Sequence, residues 1–207
     1  TVSIIQSCLD KTSKEYRSYD PGWYLYRQLN QKRKEIDNFS DEYLELIYVT
    51  LSAWNMNTRA AKLAEFKIFK EILARNKELI LSLNKYKIQN LSETDLTKVL
   101  DLLEKLFSNL QGLCLQNSKI VTISKCLHFL LPELIVPVDR KYTLRFFGYN
   151  YDIPKELPKQ FELYTNLFLC FIELSKKFDL GKYAKDRWNE NVSKVIDNII
   201  IGHEKLK

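Results

Sequence analysis

The chain has 207 residues, with 32 Lys and Arg against 26 Asp and Glu, and its net charge is therefore +6. This length suits one domain or two small lobes, and the moderate basic excess is compatible with nucleic-acid binding without requiring it. Only 5 Gly and 5 Pro occur, which argues against an all-β fold, and no apolar run approaches the ~18 residues of a membrane span.

The first two predicted helices are marked by their start signals. Asp20-Pro-Gly predicts a helix from about Trp23 to Lys34, because Asp accepts backbone N–H groups and Pro is tolerated in a first helical turn. Ser40 predicts the start of the next helix, which breaks at Trp54-Asn-Met-Asn57. Apolar residues follow Ser40 at helical spacing: Tyr43, Leu44, Ile47 and Leu51.

The middle of the chain predicts two further helices. One runs from about Thr58 to Leu83, and the other begins at Ser92 or Thr94 and ends before a turn at Gly112. The inward residues of the first are Ala61, Leu63, Ala64, Ile68 and Ile72. Those of the second are Leu96, Val99, Leu100, Leu103, Leu106 and Phe107.

A fifth helix and a short sixth helix flank a proline-containing break at Pro132. The fifth carries one apolar stripe, which consists of Ile123, Cys126, Leu127 and Leu130. The sixth is predicted from Asp139 to about Phe147, with Gly148 as its stop.

The last part of the chain predicts a loop and two more helices. The loop runs from Tyr149 to Pro158 and leads to a long helix from about Lys159 to Phe178. A final helix spans roughly Asn189 to His203, with inward Val192, Val195, Ile196, Ile199 and Ile200. The pattern as a whole predicts one all-α domain over residues 1–207, with a cleft between two helical lobes.

The segment from Thr122 to Asp139 places one amine and one carboxylate on consecutive helices. Lys125 lies near the start of the apolar fifth helix, and Asp139 opens the next one. A tight connection between two helices can bring such groups to one cleft. Cleavage of a base from a nucleotide by a lysine nucleophile requires this pair of groups.

Two stretches carry a family resemblance: Tyr48-Val-Thr-Leu-Ser-Ala-Trp-Asn-Met-Asn-Thr-Arg-Ala-Ala-Lys-Leu63, and Ser124-Lys125 followed by Val136-Pro-Val-Asp139. Together they resemble the helix-hairpin-helix DNA glycosylase superfamily, which contains endonuclease III and the 8-oxoguanine glycosylases. The chain is most similar to the divergent 8-oxoguanine-glycosylase-like proteins of prokaryotes. The resemblance implies a glycosylase-like core over about residues 40–150, with N- and C-terminal helices packed on it.

The resemblance also implies roles for the two charged residues and for a base pocket. Lys125 would attack the sugar C1′ as a neutral amine and form a Schiff base. Asp139 would stabilise the positive charge that develops on the sugar and assist proton movement. An everted base would enter a pocket formed by Trp54, His128, Phe129 and Tyr142.

Nucleic-acid contacts are expected on both sides of these motifs. The turn between the second and third predicted helices reaches into the duplex in the 8-oxoguanine glycosylases, and here it holds Asn55, Asn57 and Arg59. Basic side chains that can contact phosphates are Lys119, Arg140 and Lys141.

Simpler structural interpretations of these residues remain open. Lys125 can be a solvated lysine on the polar face of its helix, and Asp139 can be an N-cap alone. Trp54 can be a core residue in a helix-to-helix turn, and His128 a half-buried neighbour of Lys125. The family hairpin contains glycines shortly before its lysine, whereas residues 118–124 contain none, and this hinders a close approach of backbone amides to a phosphate.

The expected function is therefore a DNA base-excision glycosylase, with or without lyase activity, that acts on a damaged purine such as 8-oxoguanine. The alternative is a non-catalytic nucleic-acid-binding or protein-interaction module of the same fold. The four cysteines form no C-x-x-C pair, so reduced buried thiols and neither metal nor cofactor are expected. Further expectations are a cytoplasmic monomer, duplex DNA as the partner, and no membrane association.

Overall fold

The computed structural model describes residues 2–16, 19–37, 39–58, 61–150, 152–185 and 188–207. Within these ranges the protein is all-α, as predicted, with short 3₁₀ and π turns and two isolated β-bridges but no β-strand. The α-helices are α1 (Val2–Glu15), α2 (Pro21–Gln31), α3 (Asp41–Leu51), α4 (Phe66–Arg75), α5 (Lys77–Leu83), α6 (Glu93–Asn109), α7 (Lys119–Leu130), α8 (Thr143–Phe146), α9 (Leu157–Lys177) and α10 (Val192–Leu206).

The predicted start signals of three helices are confirmed. The side chains of Asp20, Ser40 and Ser92 each accept a backbone N–H from the first turn of α2, α3 and α6, at 2.9, 3.3 and 3.1 Å. Ser92 rather than Thr94 is therefore the cap of α6. Capping depends only on neighbouring residues, which is why the sequence was sufficient here.

The predicted helix from Thr58 to Leu83 is wrong in its first part. Residues 61–65 are not helical but pair with the segment before α7, through a bridge between Leu63 and Cys114. The amide of Ala64 donates to the Leu113 carbonyl at 3.0 Å, so this stretch satisfies its backbone groups across the fold rather than along a helix.

The helical remainder of that region is divided at Asn76 into α4 and α5. Two of its predicted inward residues are also corrected, because Ile68 is 47% exposed and Ile72 is only half-buried. Phe69 and Leu73 are fully buried instead. The true apolar face is therefore one position further along the helix than the predicted one.

Helix α1, which the sequence pattern had left unassigned, packs along α10. The two helices approach closely at Gly202, where an added Cβ would lie 2.0 Å from the backbone oxygen of Cys8. The hydroxyl of Thr12 also donates to the Asn198 carbonyl, at 2.6 Å. These contacts fix the position of α10, which forms one wall of the site described below.

Helix α7 is the central helix of the core. Every residue from Ile120 to Leu130 is buried, because α2, α3 and α9 all pack against it. The predicted apolar stripe is therefore buried, but so is the opposite face with Lys125 and His128. The interpretation of Lys125 as a solvated surface lysine is wrong, since the residue is only 7% exposed.

The short helix after α7 begins later than predicted. Its helical residues are Thr143–Phe146, while Asp139 caps the preceding turn by accepting the backbone amides of Lys141 and Tyr142 at 2.8 and 3.2 Å. Gly148, at φ 74°, ends this unit as predicted. Helices α9 and α10 lie within three residues of their predicted bounds.

Candidate functional site

Lys125 and Asp139 meet, as predicted. Nζ of Lys125 lies 3.5 Å from Oδ2 of Asp139. The Ser124 hydroxyl accepts the amide of Val138 at 3.0 Å, which ties the segment before Asp139 to the turn of α7 that carries Lys125. Thr143 fixes Asp139 from the other side, because its hydroxyl accepts the Asp139 amide at 2.9 Å. The amine and the carboxylate are thus held together by two backbone anchors.

Both groups lie in the wall of a cavity of about 220 Å³. Its other walls come from α2, the 52–56 turn, the segment after α7, and α10. The lining residues are Tyr16, Asp20, Gly22, Trp23, Ala53, Trp54, Lys125, Pro137, Asp139, Tyr142, Lys194, Asp197 and Ile201. Pockets for drug-sized ligands measure roughly 300–1,000 Å³, so this cavity suits a single ring system.

Aromatic rings dominate one side of the cavity. Trp54 lies in a π-helical turn, Ser52–Met56, and its Nε1 donates to the Gly22 carbonyl at 3.2 Å. Trp23 lies in the first turn of α2 and packs against the buried Trp188 at 4.6 Å between ring centroids. Trp54 is half-buried, so it packs against the core and also lines the cavity.

Of the four residues predicted for a base pocket, Trp54 and Tyr142 line the cavity, whereas His128 and Phe129 lie outside its lining. Phe129 packs edge-on against Trp54 at 4.8 Å between ring centroids. His128 stacks on Tyr26 and is fully buried. These two residues support the wall, because they follow Lys125 on α7 and point into the core.

His128 is held as one neutral tautomer. Its Nδ1 lies 2.6 Å from the Ile135 carbonyl, which can only accept, so Nδ1 carries the hydrogen. The hydroxyl of Tyr26 therefore donates to Nε2 at 3.0 Å. Burial lowers the pKa of His128 to about 3, and the cations of Lys194 and Arg33 act in the same direction. The imidazole joins α2 to the segment that leads to Asp139.

The structure adds a second charged pair to the same cavity. Nζ of Lys194 lies 2.6 Å from Oδ2 of Asp197, and their side chains are 3% and 7% exposed. Burial by itself lowers the pKa of Lys194, but the Asp197 carboxylate outweighs it and holds the pKa above its ordinary value. Lys194 therefore remains a cation inside the wall of the cavity.

Sequence reasoning missed this pair for a simple reason. Lys194 and Asp197 lie off the apolar stripe of α10 and look like members of a solvated face. They are buried because the aromatic residues Tyr16 and Trp54 cover that face. The i, i+3 spacing of a lysine and an aspartate was the available signal, although it also occurs on many surface helices.

A second cavity, of about 170 Å³, lies on the other side of Asp139. Asn55 and Arg140, both predicted to contact nucleic acid, are among its lining residues. Asn55 is exposed at the tip of the 52–56 turn, with φ 63°. Asp139 thus lines both cavities: the aromatic one, called the inner cavity below, and this second one, called the outer groove.

The remaining predicted nucleic-acid contacts have different surroundings. Asn57 and Lys141 are exposed, and the Lys141 ammonium lies 5.3 Å from the centre of the Tyr142 ring. Lys119 is half-buried, and its Nζ donates to the Cys114 carbonyl at 2.6 Å. Arg59 lies outside the described residues.

Two backbone amides of the glycine-free segment at the start of α7 are bonded within the fold. The amide of Ile120 donates to the buried Gln160 side chain at 3.0 Å, and that of Lys119 donates to the Asn117 carbonyl at 2.8 Å. These two donors face partners in the fold, so they are not directed at an external phosphate.

In the part of the chain that the structure describes, no group of three or more His, Cys, Asp or Glu side chains could hold a metal ion, and no helix is both long and apolar enough to cross a bilayer. The cysteines are free thiols, as predicted; three are buried and Cys170 is half-buried. Burial raises the pKa of the Cys126 thiol and keeps it protonated.

The site thus combines an amine in contact with a carboxylate, a set of aromatic faces, and a fixed internal cation around one cavity. No family model matches the chain, and no curated protein or solved structure is significantly similar to it. The geometry of the site is therefore the basis for assigning a function. Groups within reach of one reacting centre, next to a concave aromatic surface, are compatible with covalent chemistry on a planar ligand and its substituent.

Proposed function

We propose that the protein is a DNA base-excision glycosylase with lyase activity, acting on a damaged purine such as 8-oxoguanine in duplex DNA. The single observation that carries this proposal is the 3.5 Å contact between Lys125 and Asp139 in the wall of the aromatic cavity. The resemblance of these two residues to the lysine and aspartate of the helix-hairpin-helix glycosylases supports it. The fold assigned with this function is the helix-hairpin-helix one, with the cavity as its cleft.

The proposed reaction uses both side chains at the sugar. Lys125 gives up one proton and, as a neutral amine, forms a bond to C1′. The bond between C1′ and the base nitrogen breaks, and its electron pair leaves with the base, which then takes up a proton. Asp139 stabilises the positive charge on the sugar and lies close enough to accept the proton of Lys125. The nitrogen then passes a proton to the ring oxygen O4′ as the bond between C1′ and O4′ breaks, and the opened sugar is joined to Lys125 as a protonated Schiff base.

The surroundings of the pair fit a base that has left the helical stack. The inner cavity is of single-ring-system size and offers the rings of Trp23 and Tyr142 for stacking. The outer groove begins at the opposite side of Asp139, where Asn55 would fill the vacated space in the duplex. Arg140, on the same groove, would contact a phosphate.

Trapping of the Schiff base tests the proposal directly. The protein is mixed with a duplex oligonucleotide containing one 8-oxoguanine, sodium borohydride is added, and covalent adducts are separated on a denaturing gel. The wild type should give an adduct, and Lys125→Gln should give none. Lys70→Gln is the matched control, because Lys70 forms an ion pair with Asp41 at 2.6 Å and neither residue lines the cavity. Its adduct yield should equal that of the wild type.

The alternative, a non-catalytic nucleic-acid-binding module, is favoured by one specific observation. The amides of Lys119 and Ile120 at the start of α7 are bonded to Asn117 and Gln160, so these two donors are not free to grip a phosphate as the hairpin amides of the family do. Absence of an adduct with 8-oxoguanine, hypoxanthine and uracil duplexes, together with binding that weakens as salt increases, would support this module instead. An adduct that persists in Lys125→Gln would exclude Lys125 as the nucleophile.

A further inference from the structure

The Lys194–Asp197 pair is the buried group at this site that the proposed chemistry does not use. Both residues project from α10 into the wall of the inner cavity, three residues apart. Burying an ion pair removes both charges from water, and apolar residues of similar size often give equal or greater stability. Stability alone therefore gives little reason for this pair, and its place in a cavity wall indicates a role toward the ligand.

The surroundings of the Lys194 ammonium are those of a cation-binding site. Nζ lies 5.0 Å from the centre of the Trp54 ring, 5.7 Å from that of Tyr16 and 6.0 Å from that of Tyr26. These distances are within the range of cation–π interactions, and Asp197 supplies the counter-charge. Aromatic faces combined with a carboxylate are how proteins bind organic cations. Here the bound cation is the Lys194 ammonium of the protein itself rather than a ligand.

An occupied cation site changes which ligands the cavity can accept. A purine that is methylated at N7 carries a positive charge while it is bound to its sugar, as in a 7-methylguanine nucleotide, whereas the bases of 8-oxoguanine and hypoxanthine nucleotides are neutral. A charged base would find this site filled, because the Lys194 ammonium lies on the aromatic faces and already neutralises the Asp197 carboxylate. The other carboxylates of the lining are also engaged, Asp20 by the amide of Trp23 and Asp139 by Lys125. The strongest cation–π face, that of Trp54, would also already be in use.

We propose that Lys194 is a specificity-determining residue: a tethered cation that occupies the cation-binding face of the cavity and restricts the cavity to uncharged bases. This proposal rests on the proposed function and narrows its substrate class to neutral, oxidised or deaminated bases. Lysine suits this task because its ammonium holds one fixed position between Asp197 and the rings. The selectivity arises because the cation site is already filled, rather than from a contact to the correct ligand.

The proposal predicts a gain of binding when the tethered cation is removed. In Lys194→Met, Asp197 and the aromatic faces remain as an empty cation site. The probes are two free nucleosides, 7-methylguanosine at mildly acidic pH, where its ring is cationic, and neutral 8-oxoguanosine. Binding is measured by quenching of tryptophan fluorescence, because Trp23 and Trp54 line the cavity. Lys194→Met should bind 7-methylguanosine at least about tenfold more tightly than the wild type, with no gain for 8-oxoguanosine.

Two further variants keep this test decisive. Lys194→Arg retains a cation and should exclude 7-methylguanosine as the wild type does. Lys194→Met combined with Asp197→Leu leaves no unpaired buried carboxylate, so it should fold even if the single variant does not. This double variant should show a smaller gain for 7-methylguanosine, through the aromatic faces alone. Circular dichroism and thermal unfolding verify that each variant is folded.

The outcomes separate this proposal from the proposed function. Equal binding of both nucleosides by the wild type, or no gain for 7-methylguanosine in either folded Met variant, would overturn the role of Lys194 even if borohydride trapping succeeds. Conversely, a gain in the Met variants supports that role as a property of the cavity even if no lesion gives a covalent adduct. In that case the glycosylase proposal would fail, but the proposed role of Lys194 in the cavity would be supported.

Discussion

Oδ2 of Asp139 lies 3.5 Å from Nζ of Lys125, while the other oxygen of the same carboxylate accepts the amides of Lys141 and Tyr142. One side chain therefore caps a turn and faces an amine at the same time. The capping role and the catalytic role, which are alternatives in the sequence, are compatible in the structure because they use different oxygens.

This division predicts that two substitutions of Asp139 will have different effects. Asp139→Asn keeps an oxygen that can cap the turn but removes the charge beside Lys125, whereas Asp139→Ala removes both. Adduct formation should fall by about 10²–10⁴-fold in both variants, the usual contribution of a positioned acid–base group. In addition, the free energy of unfolding of Asp139→Ala should be about 1 kcal/mol lower than that of Asp139→Asn, the typical value of a lost cap.

The measurements are the initial rate of borohydride trapping and the free energy of unfolding from urea titration. Comparing the two variants with each other, rather than with the wild type, cancels the effect of breaking the ion pair with Lys125. If Asp139→Asn forms the trapped adduct as fast as the wild type, the carboxylate charge has no part in the chemistry. If Asp139→Asn and Asp139→Ala are equally stable, Asp139 does not act as a cap.

The contrast between caps and cavity walls shows what the sequence can predict. Asp20, Ser40 and Ser92 could be assigned as caps because a cap bonds to amides only three residues away. The meeting of Lys125 and Asp139 was also accessible, since one short connection separates their helices. Both predictions depend on contacts between neighbouring parts of the chain.

Contacts between distant segments were not accessible in this way. Residues 61–65 contain good helix formers, yet their backbone pairs with the segment around Cys114, some fifty residues later. Lys194 looks solvated in the sequence, but residues near the other end of the chain, above all Tyr16, cover it. In each case tertiary contacts override a local preference, and no periodicity within a single helix reports them.

The role of the outer groove can be tested at Asn55, because its side chain can be removed there without straining the backbone. Its φ of 63° lies in the left-handed region, which glycine adopts freely and alanine does not. Asn55→Gly should therefore leave stability almost unchanged, whereas Asn55→Ala should cost about 1 kcal/mol. If the side chain fills the space of the everted base, both variants should bind an 8-oxoguanine duplex about tenfold more weakly, as measured by fluorescence anisotropy in the Lys125→Gln background.

The matched control is the affinity of each variant for an undamaged duplex of the same sequence. Binding to it should change little in either Asn55 variant, because no base has to leave the stack. Equal weakening for damaged and undamaged duplex would show that Asn55 contacts the backbone instead. Unchanged binding to both would remove Asn55 from the interface.

His128 makes the stability of the protein depend on pH. Burial lowers its pKa to about 3, against an ordinary value of 6.5, and the nearby cations of Lys194 and Arg33 contribute while the bond to Ile135 opposes. Between these two pH values the unfolded chain binds a proton that the folded protein does not. The contribution of His128 is therefore fully present above about pH 6.5 and is lost as pH falls toward 3, by up to about 1.4 kcal/mol per pH unit.

Urea titrations at several pH values between 7.5 and 4 measure this contribution. Carboxylates also titrate in part of this range, so the comparison is with His128→Gln, which cannot titrate but can still donate to the Ile135 carbonyl. The variant should be less stable than the wild type at pH 7, and the difference should shrink as pH falls. Parallel curves for the two proteins would show that His128 is protonated in the fold.

Gly202 tests whether the close packing of α1 on α10 holds the α10 wall of the cavity. A Cβ at this position would lie 2.0 Å from the Cys8 carbonyl oxygen and 2.7 Å from the Thr12 hydroxyl, so Gly202→Ala must push the two helices apart. We expect a loss of about 1–3 kcal/mol in the free energy of unfolding, the usual cost of overpacking.

Gly181→Ala is the control, because no atom lies within 4 Å of its added Cβ. Since Lys194 and Asp197 project from α10, Gly202→Ala should also alter the tryptophan emission of the cavity, whereas Gly181→Ala should not. A Gly202→Ala protein with unchanged stability and emission would show that α1 can shift without disturbing the site.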